Sequence, residues 1–487
     1  MQHSTGPYDR IPTREPAALA VSRAWVALAA LAVLSVSSAS AANMVYFFAD
    51  NGFGNPVSTL QHPCAEHHNG VTYIAYQGPL EDAYICAYNH QSGEWQGPVK
   101  AGDSLMGKQQ PARIPGDIDN HGRPALMVDC EGYIHIVFGG HGGYPKFGRN
   151  EFGMWGDGRQ THVVSRHPED ISDWERRDNV SPFGTYSQFV HMDDGDIYLF
   201  YRHGSHQSDW VYQKSRDNGR TFHPPVSILK HKVREEDSNL HDAWYAWFDK
   251  GSGDTITASY VYHPCKTRGH DNARHNGYYM LMDCADDTWH NVRGRELAAP
   301  VTKESADKYT LVSNTGDMRS KRGTCRVDAN GHPHVTFKQG GYVRYYRWLG
   351  NEWQQAVCVT PEPGTGECDL HVESPRAVWL VLARKAAGTG EICWWKTTDG
   401  GLTWNKDRCL LNKPGPGFRI GALVRNAHPD ARVVASRQMQ HHGGLYSELY
   451  LLGRNGPIRR RGREAAVLAR HLAGLFGTTV TGNLGHD

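Results

Sequence analysis

Two histidines separated by one hairpin are the first candidates for chemistry in this chain. The run Asp119-Asn120-His121-Gly122-Arg123-Pro124-Ala125-Leu126-Met127-Val128 reaches a polar turn at Asp129-Cys130-Glu131-Gly132 and returns through Tyr133–Phe138 to Gly139-Gly140-His141-Gly142-Gly143. Two β-rich runs flanking a glycine-containing turn predict an antiparallel pair. Because a hairpin folds back on itself, His121 before the first strand and His141 after the second fall at the same end. Taken singly, a histidine is most often a core or surface residue with one hydrogen bond. A pair at an open hairpin end, with glycines that let a ligand approach the backbone, is a candidate acid, base or anion-neutralising unit.

The elements that must position such a pair form a repeat. Seven segments share a plan of strand, tight polar turn, strand: Cys64–Tyr76, Arg123–His141, Tyr186–Arg202, Trp244–His263, Thr324–Lys338, Glu367–Arg384 and Arg419–Ser436. Between them, Ser215–Phe222 and Thr397–Trp404 fit the Asp-box pattern S/T-x-D-x-G-x-T-W/F, a turn whose Asp bonds local backbone and whose aromatic packs beneath it. The expected fold is all-β, a seven-bladed β-propeller of four-stranded antiparallel blades over residues 42–453. Met44–Phe48 is expected to pair with Leu445–Leu452 and close the ring.

In a propeller the ends of the inner hairpins surround one mouth of the central channel. At those ends stand His121 and His141, Tyr186 and Arg202, Tyr245 and His263, and Arg319. Arginine and histidine donors beside ionisable tyrosines suit proton removal from C5 of a uronic acid. The adjacent carboxylate must be neutralised before an enolate-like state is accessible, and a base and an acid must then move two protons.

The same residues carry a family resemblance. Asn120–Leu126, Gly139-Gly140-His141-Gly142, Thr185-Tyr186-Ser187-Gln188 with Tyr201-Arg202-His203-Gly204, and Asp242-Ala243-Trp244-Tyr245 together resemble the propeller ulvan lyases, within a wider group of BNR-repeat proteins. The resemblance implies β-elimination at a uronate of ulvan, an anionic polymer of rhamnose 3-sulfate with glucuronate or iduronate. It implies carboxylate neutralisation by His141 and Arg202 and proton transfer by Tyr186. His121 and Tyr245 match residues of the same pocket, and whether His121 or Tyr186 is the base stays open. Arg123 and Arg319, with Lys146 and Arg268, are candidate contacts to the anionic polymer.

The family also implies one structural zinc ion. His263, Cys265 and His275 offer N/S ligands around one hairpin tip, with Cys325 or His270 as the fourth. Two rival readings follow from the fold class, a sialidase and a non-catalytic carbohydrate-binding propeller; no clear arginine triad favours the first, and fold alone cannot exclude the second.

Composition sets the outer bounds. A formal net charge of +1 over 487 residues gives no global field toward nucleic acid or a membrane surface. Arg23, the apolar run Ala24–Val36 and Ala39-Ser40-Ala41 predict a signal peptide cleaved after Ala41, hence a secreted, extracellular or periplasmic protein. The 10 cysteines are too few to build the scaffold, but Cys393 and Cys409 are each eight residues from Gly401 and are expected to face each other as a disulfide. Residues 454–487 predict a basic, partly helical tail.

Overall fold

Each of the seven repeated segments forms an antiparallel strand pair in the computed structural model, which describes residues 43–107, 118–265, 274–364 and 366–476. The predicted signal peptide lies outside those residues. Five sheets have four strands, one has five and one has seven, and a two-stranded ribbon stands apart. The arrangement is an all-β propeller of small antiparallel blades. The seven-stranded sheet departs from the four-strand plan because Lys232–Val233, Glu296–Leu297 and Leu311–Ser313 add themselves to the blade built on His241–Lys250.

Ring closure differs from expectation by about one strand. Ala49–Phe53, rather than Met44–Phe48, pairs with Tyr446–Gly453, with Gly52 opposite Ser447. Met44–Val45 instead pairs with Arg460–Arg461. The tail accounts for this shift. The Arg460 guanidinium donates to the Phe48 carbonyl at 2.9 Å, and the Asp50 carboxylate accepts from the Val467 and Leu468 amides at 2.7 and 2.8 Å. Asp50 thus caps the helix Leu468–Phe476, which lies on the propeller.

The central channel is filled by the chain itself. Residues 55–63 run through it, and Gln61 donates to the His121 carbonyl at 2.9 Å. The His62 amide donates to the Ser187 carbonyl and its ring stacks on Trp247 at 3.8 Å. This plug separates the two ends of the propeller and supports the backbone of His121 from below.

Both Asp-boxes have the expected internal bonding: Asp217 accepts from Thr221 and Asp399 from Thr403, through backbone and hydroxyl alike. Cys393 and Cys409 face each other across their hairpin and are disulfide-bonded. Closing a loop of this size stabilises by roughly 3 kcal/mol through the unfolded chain. The double substitution Cys393→Ser, Cys409→Ser should therefore lower the urea midpoint with the m-value nearly unchanged. An unmoved midpoint would contradict that contribution.

Candidate active site

His121 and His141 lie face to face, ring centroids 3.7 Å apart and planes within 9°. What aligns them is Asp119. Its two carboxylate oxygens take one imidazole each, His121 Nδ1 at 2.6 Å and His141 Nδ1 at 2.7 Å. With both Nδ1–H groups donating to one carboxylate, each Nε2 is left for other work. Burial would raise the Asp119 carboxyl, but its two histidine hydrogen bonds outweigh it and hold the carboxyl well below the usual range. Burial pulls His121 down to about 4, partly offset by Asp119, so its imidazole is neutral at pH 7. Asp119 stands two residues before His121, and that D-x-H spacing at a hairpin mouth was the signal available for it.

The glycines beside His141 are there for space. A Cβ on Gly140 would sit 2.1 Å from the Gly184 carbonyl oxygen, and Gly142 has φ +94°. This run lets the end of the His141 strand pack against the start of the neighbouring blade, which carries Tyr186.

Tyr186 is aimed by a bulge. The register of Gly184–His191 against Ile197–His203 shifts between Thr185 and Gln188, and Tyr186 has φ +62°, a left-handed conformation costly for a bulky side chain. Its ring lies 5.2 Å from that of His121 and 5.7 Å from that of Tyr245. Arg202, directly opposite Thr185, lies 4.8 Å from the Tyr186 ring and 5.5 Å from the Tyr245 ring. Arg274, which sequence reasoning missed, directly precedes the strand His275–Asp283 and lies 4.0 Å from the Tyr245 ring.

The two phenols are driven apart. Burial, then the neighbouring Tyr245, raises Tyr186 above the ordinary phenol value. Burial also acts on Tyr245, but Arg274 and Arg202 outweigh it and bring that hydroxyl below the ordinary value. Tyr245 is therefore the acidified phenol of the pair, whereas Tyr186 keeps its proton.

Two other expected residues sit differently from the sequence reading. Arg202 is fully buried, with its guanidinium against the Tyr186 and Tyr245 rings and engaging the Tyr245 hydroxyl. It lies behind the tyrosines as a fixed positive charge, because the strand that carries it is covered by the ring pair. Arg123 is turned toward the channel plug, donating to the Asn55 and Val57 carbonyls at 3.1 and 3.4 Å, so it braces the plug and does not face outward. Arg319 is exposed at the rim, where Arg274, Arg419 and Arg319 all add to the effect of burial in lowering Lys321. That cluster of cations suits an anionic chain.

The expected zinc ligands are only partly brought together. Cys265 Sγ lies 3.9 Å from His263 Nδ1, close to the edge of about 3.5 Å between N and S ligands on one tetrahedral zinc. The His206 ring, not anticipated, lies 6.3 Å from that of His263. His275 pairs with Tyr262, next to His263, with its Nδ1 3.1 Å from the Gly316 carbonyl oxygen. Cys325 is excluded. Its strand begins at Ser320, four residues earlier than expected, so its Sγ packs 3.7 Å from Thr257 Oγ1 in the blade core. Thr257 precedes His263 by six positions on one strand, roughly 20 Å at the usual rise. His270 and Arg268 lie outside the described residues.

Residues 71–359 match the BNR repeat-containing family. An ulvan lyase of Nonlabens ulvanivorans is 47% identical over 442 residues, covering 87% of this chain and 92% of its own. The PL25 ulvan lyase of Pseudoalteromonas sp. (strain PLSV) is 43% identical, covering 85% and 87%. A solved PL25 ulvan lyase superposes with a TM-score of 0.81 at 42% identity, over 87% of this chain and 99% of its own, and a second structure of that kind holds -[GlcA(1-4)Rha3S]-.

Proposed function

The chain belongs to the PL25 ulvan lyases within the BNR-repeat group, and we propose from that membership that it is a polysaccharide lyase acting on ulvan by β-elimination. The bond broken is the one to O4 of a uronate, and the product carries an unsaturated uronate at its new non-reducing end. The observation that carries the mechanism is the stacked His121–His141 pair on Asp119 beside the Tyr186–Tyr245 pair.

Each group has a role set by its environment. Arg202 and Arg274 supply fixed positive charge behind the site, and His141 faces the uronate carboxylate as it takes on enolate character. His121, neutral with Nε2 unengaged by Asp119, removes the C5 proton. Tyr186, which holds its proton, delivers it to the departing O4. Arg319 and Lys321 draw the sulfated chain across the rim.

The first test follows absorbance of the conjugated C4–C5 double bond while the purified protein acts on ulvan, beside a His141→Ala variant. A rise lost in the variant is expected. An equal rise in both would place the chemistry elsewhere, and no rise would favour a carbohydrate-binding propeller without activity. Since kcat/KM reports the free enzyme and His121 must be unprotonated, kcat/KM should persist down to about pH 4 and fall below it. An acid limb near 6.5 would remove His121 as the base.

The proposal also includes one structural zinc on His263, Cys265 and His206, with His270 or His275 as the remaining donor. One zinc per chain by elemental analysis, lost in Cys265→Ser together with a fall in Tm, is expected; a metal-free protein of undiminished Tm would end it. In architecture we read seven blades, supported by the seven inner hairpins. Secretion is supported by the signal-peptide pattern in residues 1–41. No helix among the described residues is long and apolar enough to cross a membrane.

A further inference from the structure

The end of the propeller opposite the histidine pair holds a cavity of about 550 Å³, within the range of small-ligand sites. The inner strand His241–Lys250 shows the separation: Tyr245 belongs to the active site and Lys250 to this cavity, five residues or roughly 17 Å farther along. Residues 55–63 fill the channel between them, and His62 at the end of that plug lines the cavity.

The cavity wall carries more positive charge than its carboxylates satisfy. Lys250, Arg326, Arg425 and Arg432 line it, against Asp249 alone among acidic residues. Arg326 is held by Asp249 and, at 2.8 Å, by Asp369, while Lys250 is paired outward with Asp193. That leaves the guanidiniums of Arg432 and of Arg425, the second facing the buried Glu66 carboxylate without reaching ion-pair distance. Arg425 donates through Nη2 to the Phe189 carbonyl at 2.7 Å and approaches the already engaged Asp249 only to 3.8 Å. Its Nη1 is buried with no partner among the described residues. Arg432 meets His371 Nε2 at 3.3 Å and no carboxylate within ion-pair distance among the described residues. A buried guanidinium nitrogen without an acceptor is costly, and an oxyanion offers the fork geometry that both arginines lack.

We propose that this cavity is a second, non-catalytic site for the sulfate ester or carboxylate of an acidic oligosaccharide. The oxyanion preference stands on the wall residues alone; the oligosaccharide rests on the proposed lyase activity, whose products are short, sulfated and uronate-terminated. Bound there, a product of the reaction occupies the protein without blocking the histidine pair.

Two arms separate these statements. In the first, inorganic sulfate is added to the intact protein and to Arg432→Gln and Arg425→Gln, and Tm is followed. Wild type should rise with sulfate, and both variants, folded with near-native Tm in its absence, should respond with at least about tenfold weaker apparent affinity. Equal responses in all three would overturn the anion site whatever the fate of the lyase reading. In the second, the sulfated unsaturated disaccharide is titrated calorimetrically. Two sites per chain in wild type are expected, one of them lost in Arg432→Gln, with kcat/KM on ulvan held within about twofold. A single site throughout, or two sites untouched by the substitution, would remove the oligosaccharide from the proposal.

Discussion

Asp119→Asn is expected to lower kcat on ulvan by about three to four orders of magnitude while KM changes little. The reason is tautomeric. One carboxylate oxygen serves His121 Nδ1 and the other serves His141 Nδ1, so both rings are held with Nδ1 protonated. An asparagine offers one acceptor and one donor. Whichever way its amide is turned, one imidazole meets an NH₂ group, must present a lone pair at Nδ1, and moves its proton to Nε2. If that ring is His121, the base is gone. If it is His141, the ring facing the uronate loses the anionic partner that holds its orientation. Removing the Asp119 charge also takes away an effect that raises His121, leaving a weaker base. Far-UV circular dichroism and Tm should stay near wild type, because the carboxylate side chain is partly exposed and bonds mainly the two rings and the His121 amide. A loss of less than about tenfold in kcat would show that the two histidines do not depend on Asp119 for their protonation state.

The side-by-side histidines were legible because hairpin geometry converts sequence position into spatial position with few alternatives. The Cys393–Cys409 bridge was legible for the same reason, each cysteine lying at an equal distance from the turn. What the residues could not show was set by longer-range packing. The bulge at Thr185–Gln188 and the positive φ of Tyr186 depend on the neighbouring blade, and they decide where the phenol points. Burial of Arg202 depends on which side chains cover its strand. Cys325 was misplaced by a strand boundary: an inner strand that starts at Ser320 carries a residue five positions on into the core. Closure by Ala49–Phe53 was missed by about one strand because the tail residues Arg460, Val467 and Leu468 hold the first described segment from more than 400 positions away. The channel plug at residues 55–63 has no periodic signature at all, since its role is to satisfy polar groups from several blades.

Tyr186→Phe is expected to reduce kcat on ulvan by about 10²–10⁴-fold, and the loss should depend on the leaving group. Burial and Tyr245 keep the Tyr186 proton in place, which suits a group that protonates O4 and not one that begins by accepting a proton. A sugar alkoxide departs poorly without that proton. An aryl oxide joined at O4 of the same uronate departs readily without it. Tyr186→Phe should therefore regain most of its rate on a synthetic 4-O-aryl uronate, whereas His121→Ala, which lacks the base, should stay impaired on both substrates. Tyr245→Phe provides the internal comparison. Its hydroxyl is the one acidified by Arg274 and Arg202, so its removal alters the electrostatics behind the site while leaving the Tyr186 proton available. The deficit of Tyr245→Phe should be of similar size on the natural and the aryl substrate. If Tyr186→Phe were equally impaired on both, and His121→Ala were the variant restored by the better leaving group, the two roles would have to be exchanged: Tyr186 would take the C5 proton and His121 would supply the one that releases O4.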